Sequence, residues 1–317
     1  MPLWYNDTNN IFDEVEMDTQ TLKYIGKDLY KTHILKEWKR YVVFMTRCHL
    51  HKGQIGDLLS FFAATPLRKA MLEHTTSFVE QTTRAFFYKD STWDERIAIV
   101  KHHIEYLENT LNDEAMSKLY ARGEQIRLWE DLYEEQPLTM DLLFHGGQRK
   151  EGCLSLVLSL GEDELYQIMF WLAPSPEDGA MSLWIGALQG TPNGSEVIKG
   201  LTKAFFGYRT KNLIFYGIRN VAAALGCKHL YAVSNEGYYA MNHVRRDRKL
   251  KTSLDDFWQE CEGQACRDQR FFEMPIAEYR KSMEELKPSK RAQHRRRFAK
   301  MDEITGSVTE MLNNYKK

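Results

Sequence analysis

No apolar run in the 317-residue chain approaches the roughly 20 residues that a membrane-spanning helix needs. The first thirty residues hold Asp7, Asp13, Glu14, Glu16 and Asp18 and no apolar core, so no secretory leader is expected. Cysteine is scarce. Cys48, Cys153, Cys227, Cys261 and Cys266 are odd in number and scattered, which argues against a disulfide framework and suits reduced thiols in the cytoplasm. No second cysteine pair accompanies Cys48, His49 and His51, and His102 and His103 are adjacent and so point to different helix faces; no metal site is expected. The net charge of −1 names no partner, although His243–Lys251 and Lys287–Lys300 are locally basic. Internal repeats and low-complexity tracts are absent.

What is present begins with helices. Ile34, Trp38, Tyr41, Val42 and Met45 form one helical stripe. Thr65-Pro66 marks a helix start, because proline at the first position forfeits only an N–H that has no partner there. Thr92-Trp93-Asp94-Glu95 is a capping box, followed by the apolar face Ile97, Val100, Ile104, Leu107 and Leu111. Met116–Leu132 continues the helical pattern. Near Pro137 the period changes. Thr139–Phe144, Cys153–Leu160 and Leu165–Leu172 read as an antiparallel meander, with Gly161-Glu162-Asp163 as a hairpin turn. Leu254–Cys261 reads as a short helix, Phe271–Met274 as the last strand, and the charged residues from Ile276 onward as helical. The patterns predict an α+β fold: a helical region over 1–136, a mixed sheet over 137–280, and a basic C-terminal helix or tail over 281–317.

The stretch from Leu183 to Asn235 organises the rest. Ser182–Gln189 is a fourth strand, Gly190-Thr191-Pro192-Asn193-Gly194 breaks it, and Ser195 can cap a helix carrying Val197, Leu201, Ala204 and Phe205. A second helix from Thr210 ends where Gly226 suits a left-handed cap. His229–Ser234 is a fifth strand, and Asn235-Glu236-Gly237 a turn. Residues 190–194 are open to two readings, a plain turn or a cradle in which backbone N–H groups and a helix dipole meet an anion.

Taken together, these residues resemble the VirK/YbjX family of bacterial proteins over nearly the full chain. The marks are Thr65-Pro66-Leu67-Arg68, Trp93 with Arg96, His102–Leu107, Leu188-Gln189-Gly190, Phe206–Arg209, Ala232–Gly237, Phe257-Trp258, Phe271–Pro275 and Lys290–Gln293 with Arg295–Arg297. The resemblance implies a role in envelope integrity, virulence and resistance to antimicrobial peptides, and carries no catalytic residue with it. The strand and helix order is also similar to the acetyl-coenzyme A-dependent N-acyltransferase (GNAT) fold, in which the glycine loop binds the cofactor pyrophosphate. The chain departs from that pattern: the Gln/Arg-x-x-Gly-x-Gly/Ala signature is missing, and two helices stand where one is expected.

On that likeness the chain is an acyltransferase acting on a small-molecule or peptide amine or hydroxyl. Glu236 is then the preferred base, Asn235 orients the acceptor or donates to developing charge, His229 is a second base, and Tyr238 or Tyr239 protonates a leaving thiolate. Gly190, Thr191, Asn193, Gly194, Lys203, Arg209 and Lys211, with Arg219 nearby, would hold the phosphates of acyl-coenzyme A or acyl carrier protein. Each has a structural alternative: a surface turn for Asn235-Glu236-Gly237, a structural histidine, solvated cations at a helix start. Lys287–Lys300 carries seven Lys or Arg and no carboxylate. It suits either an anionic membrane surface, which would place a cytoplasmic protein peripherally on the bilayer, or the protein's own acidic surface; with Phe298 as its one aromatic it suits nucleic acid poorly. The competing class is a non-catalytic protein that binds anionic lipid or a partner protein.

Overall fold

The computed structural model describes residues 19–191, 195–242 and 252–317. Among the described residues seven α-helices come first, α1 (Thr19–Leu29), α2 (Leu35–Leu50), α3 (Lys52–Ala63), α4 (Pro66–His74), α5 (Ser77–Thr83), α6 (Trp93–Thr110) and α7 (Asp113–Met116), the last running into a π-helical turn over Ser117–Ala121. Strands β1 (Ile126–Tyr133), β2 (Gln136–Leu143), β3 (Leu154–Leu160), β4 (Asp163–Pro174) and β5 (Met181–Gly190) follow. Then come α8 (Ser195–Ala204), α9 (Thr210–Ala224), β6 (His229–Val233), α10 (Leu254–Glu260), β7 (Gln264–Ala265), β8 (Phe271–Met274) and α11 (Pro288–Asn314). The fold is α+β, a helical region joined to one mixed eight-stranded sheet of order β1-β2-β3-β4-β5-β6-β8-β7.

Local chemistry sets the element ends. Thr65 accepts from the Arg68 N–H with Pro66 at the first helical position, and Thr92 and Glu95 close the reciprocal capping box of α6. Gly226, at φ +82°, follows the end of α9. Neighbouring strands β1 to β5 pair antiparallel, whereas β5 and β6 run parallel. A parallel pair needs a long crossover, which α8 and α9 supply. Helix α9 lies against β3, β4 and β5, close enough at Gly217 that a Cβ there would stand 2.8 Å from the Met140 sulfur. Helix α11 packs on α9 and β1 through Met301, Ile304, Val308 and Leu312.

Two boundaries differ from the pattern reading. Residues 126–132 are the first strand of the sheet, not the end of a helical run. Gly123, at φ +65°, turns the chain out of the helical region, and the β1–β2 turn is Glu134-Glu135. Both glutamates have positive φ, 49° and 64°, a turn usually announced by Asn-Gly. The C-terminal helix starts at Pro288, and residues 276–287 are not helical.

Candidate functional site at the end of β5

The parallel ladder runs from Ser182↔His229 to Ile185↔Ala232 and stops. Beyond it the two strands separate. β6 is held on its far side, where Val233 pairs with Phe271, the Val233 carbonyl accepts from Trp258 Nε1 (2.9 Å) and the Ser234 N–H donates to the Arg270 carbonyl (2.8 Å). β5 stays with β4 as far as Tyr166↔Gly190. The two strand ends thus part at the carboxyl end of the parallel pair.

A bulge shapes the end of β5. Ile185 pairs with Phe170 and Ala187 with Met169, leaving Gly186 without a partner on β4. The extra residue reverses which side the following side chains take. Gln189, paired with Gln167, therefore lies on the same side as Trp171 and Trp184, and Tyr166 lies on the opposite side with Leu158. Gly186 also admits the loop before β3. A Cβ there would stand 1.8 Å from the Glu151 carbonyl oxygen.

Glu151 is the unusual group. It is 2% exposed, and its Oε1 accepts from Tyr238 Oη (2.9 Å) and Gln189 Nε2 (3.2 Å). Its Oε2 is buried and has no hydrogen-bond partner among the described residues. Burial pushes the carboxyl up to about 7, against the pull of Tyr238, Lys150 and Gln189. Burial and the neighbouring Glu151 push the Tyr238 hydroxyl well above its ordinary value. The loop is fixed from α5: Gln81 Nε2 donates to the carbonyls of Arg149 (2.7 Å) and Gly152 (2.8 Å), and Arg149 Nε donates to Glu80 Oε2 (2.5 Å). A buried acid with a pKa near neutrality and an unsatisfied oxygen is suited to proton transfer.

The other side of β5's end is basic. A cavity of about 760 Å³ is lined by Lys199, Lys203, Arg209 and Lys211, by Tyr133 and Tyr166, and by Glu134 and Glu196, of which Glu196 pairs with Lys199 (2.8 Å), with the first turn of α9 in its wall. Arg209 pairs with Glu260 and donates to Asn212 Oδ1 (3.0 Å). Lys211 lies over the Phe257 ring (3.9 Å), and burial lowers its pKa. An adjoining cleft of about 470 Å³ is lined by Tyr166, Gln167, Gln189, Gly190 and Thr191, among others. Tyr166 borders both spaces and fits over Gly190, where a Cβ would be 2.6 Å from its ring.

The structure thus brings Lys203, Arg209 and Lys211 into one cavity and Gly190 and Thr191 into the next. Asn193 and Gly194 lie outside the described residues. Among the residues expected to be catalytic, Tyr238 reaches Glu151, and the others are elsewhere. Asn235 caps α10: its Oδ1 accepts from the Leu254 N–H (2.7 Å), its Nδ2 donates to Ser253 Oγ (3.0 Å), and its own N–H donates to Asp255 (2.7 Å). Glu236 has a 63% exposed side chain, meets Lys89 at 3.4 Å, and lines neither space. His229 stands at the opposite end of β6, between Glu273 (3.0 Å) and Asp178 (3.1 Å). Arg219 is buried, donates to the Cys261 carbonyl (3.0 Å) and covers the Phe215 ring. The pocket that would join residues 190–194 to Asn235 and Glu236 is therefore not formed by the described residues.

Two outcomes follow from these placements. Glu236→Ala should change stability by no more than about 0.5 kcal/mol and leave any transfer activity unchanged, as a thermal melt and an assay would show; a loss of activity would return Glu236 to the site. Hydrogen bonds that His229 donates to Glu273 and Asp178 raise its pKa, so its contribution to stability is complete below pH 6.5 and is lost as pH rises through the raised value. Melting His229→Gln beside the wild type across that range would show the difference closing at high pH.

The family model described as "Protein of unknown function (DUF535)" matches residues 33–310. The chain is 28% identical over 221 residues to "Uncharacterized protein YbjX" of Escherichia coli (strain K12), a match covering 67% of this chain and 65% of that protein. It is 25% identical over 270 residues to an "Uncharacterized protein" of Haemophilus influenzae, covering 83% and 87% respectively. No solved structure matches.

Proposed function

For a chain that belongs to the DUF535 family, whose model spans residues 33–310, we propose transfer of an acyl or related group from an anionic carrier to an amine or hydroxyl. The observation that carries this reading is the buried Glu151 carboxyl at one side of β5's end, with a cation-lined cavity at the other. Lys203, Arg209, Lys211 and the first N–H groups of α9 suit the phosphates of acyl-coenzyme A or of acyl carrier protein. When bound, such a donor supplies an activated acyl carbonyl. Glu151, whose Oε2 has no hydrogen-bond partner among the described residues, would take the proton from the attacking amine or hydroxyl as the bond between the acyl carbon and the carrier sulfur breaks, and would return it to the departing thiolate. Gln189 and Tyr238 hold Oε1 and fix the direction of the carboxyl. The cellular setting we infer is envelope integrity, virulence and resistance to cationic peptides. It rests on the family resemblance, and the acceptor would then be an envelope component or peptide.

A second reading is a non-catalytic protein contacting anionic lipid or a partner through Lys287–Lys300, and it draws on the exposed Arg295 and Arg296. Neighbouring cations weigh against it. Arg291 donates to the Leu286 carbonyl (3.2 Å) and Arg297 to that of Phe206 (2.7 Å), while Lys300 pairs with Asp131 (2.7 Å).

The test is a melt with coenzyme A, acetyl- and long-chain acyl-coenzyme A, and acyl carrier protein. At about 100 times its dissociation constant a donor should add roughly 2.7 kcal/mol, a rise of several degrees. Lys203→Ala with Arg209→Ala and Lys211→Ala should abolish the rise in a folded protein. No rise with any donor would overturn the proposal. A rise without turnover would favour a binding protein.

A further inference from the structure

Helix α2 is a surface the transfer reading does not use. Of its sixteen residues only Phe44 and Cys48 are buried. Its outward face carries large apolar side chains: Leu35 is 69% exposed, Trp38 48%, Val42 39% and Val43 47%. Leu35, Trp38 and Val42 are spaced i, i+3, i+7 and form one stripe. Lys36, Lys39 and Arg40 are exposed beside it. The one carboxylate of the helix, Glu37, is only partly exposed and pairs with Arg40 at 2.5 Å. On the cationic flank a notch of about 200 Å³ is lined by Lys39, Arg40, Arg47 and Arg84.

A contiguous apolar patch of this kind on a folded protein marks a contact surface. Three features decide what it contacts. A tryptophan between aliphatic residues suits the boundary between lipid headgroups and chains. The cations lie along one edge, where a helix lying flat would meet headgroups and not chains. The notch gathers Lys39, Arg40, Arg47 and Arg84, of which Arg40 pairs with Glu37 and Arg84 with Glu80, and its remaining positive charge is complementary to the negative charge of an anionic leaflet.

We propose that α2 docks this protein on an anionic lipid surface, with Leu35, Trp38 and Val42 entering the interface and Lys36, Lys39 and Arg40 meeting the headgroups. The contact is independent of the transferase reading, since α2 contributes no residue to either space at the end of β5. It also differs from contact through the C-terminal helix.

The test is sedimentation of the full chain with phosphatidylcholine vesicles, with and without phosphatidylglycerol. Binding should require the anionic lipid and weaken as salt is raised. Lys36→Gln, Lys39→Gln and Arg40→Gln together should weaken it about a hundredfold, about fivefold for each charge. Leu35→Ser with Trp38→Ser should weaken it at least tenfold. Trp38→Phe should remove most of the blue shift in fluorescence on vesicle addition. All these positions are exposed, so melting temperatures should stay unchanged and confirm folding. The proposal fails if the chain does not bind, if it binds neutral vesicles equally, or if Arg295→Gln with Arg296→Gln abolishes binding while the α2 variants retain it. A failure to bind vesicles, coupled with a concentration-dependent mass in light scattering that the α2 variants lose, would assign the face to a second copy of the chain.

Discussion

Glu151→Gln should abolish transfer and, above pH 7, stabilise the protein. General base catalysis contributes about 10²- to 10⁴-fold, and an amide cannot accept the proton, so the rate should fall by that factor. The stability effect follows from burial. In the folded chain the carboxyl titrates at about 7, against 4.5 ordinarily. Between those values the native state holds a proton that the unfolded state has released, so stability falls as pH rises from 4.5 and the loss is complete above 7. At about 1.4 kcal/mol per tenfold change, ionising Glu151 costs about 3 kcal/mol. Glutamine keeps the shape without the charge and removes that pH dependence. Paired melts at pH 5 and pH 8 should give near-equal temperatures at the first and a variant several degrees higher at the second. The wild-type kcat/KM should rise with pH through a limb near 7. A variant that melts lower than wild type at pH 8 would show that a further polar partner satisfies the charge, and would remove Glu151 as the base.

Glu80→Gln should have the opposite sign. Glu80 is 1% exposed and receives Arg149 (2.5 Å), Tyr30 (2.7 Å) and Arg84 (3.2 Å). Burial alone would raise its carboxyl, but Arg149, Tyr30 and Arg84 outweigh it and hold the pKa below the ordinary value. Its contribution to stability is therefore present above the ordinary carboxylate range and is lost as pH falls through the depressed value. Removing one partner of a buried ion pair costs about 3–5 kcal/mol, because the remaining charges stay desolvated. The melting temperature at pH 7 should drop by several degrees, with the gap closing in acid. Arg149 belongs to the loop that presents Glu151, so catalysis should fall as well, with the pH limb displaced. An unchanged limb would mean that α5 stabilises the fold without positioning the carboxyl.

The elements announced by local chemistry were legible. Thr92 with Glu95, Thr65-Pro66, Gly161 and Gly226 each specify a cap or turn by residue type, and the structure has each in place. The meander was legible because short apolar runs, with Cys153–Leu160 alternating, are separated by turn residues. β1 was not, since its turn uses two glutamates at positive φ where the sequence offers no glycine or asparagine. The cations were legible as a group because they flank one helix start. Glu151 was not, because its character comes from partners distant in sequence. Gly186 makes the space, and Gln189 and Tyr238 supply the donors. Nothing in Lys150-Glu151-Gly152 distinguishes it from an exposed loop. Glu236 stood out as a carboxylate at a strand end, and the structure places its side chain exposed beside Lys89.

The parting of β5 from β6 also bears on the order in which the chain is completed during synthesis. Strands β1 to β5 are joined by turns and short loops and pair with their immediate predecessors, so their contacts form at little cost in loop closure. The β5–β6 seam must wait for the whole α8–α9 crossover. Tyr238, which holds Glu151, is 87 positions further along the chain. A nascent chain can therefore pair β1 to β5 before it possesses the hydroxyl that orients the Glu151 carboxyl, and the proposed proton-transfer site would be among the last features the folding protein completes.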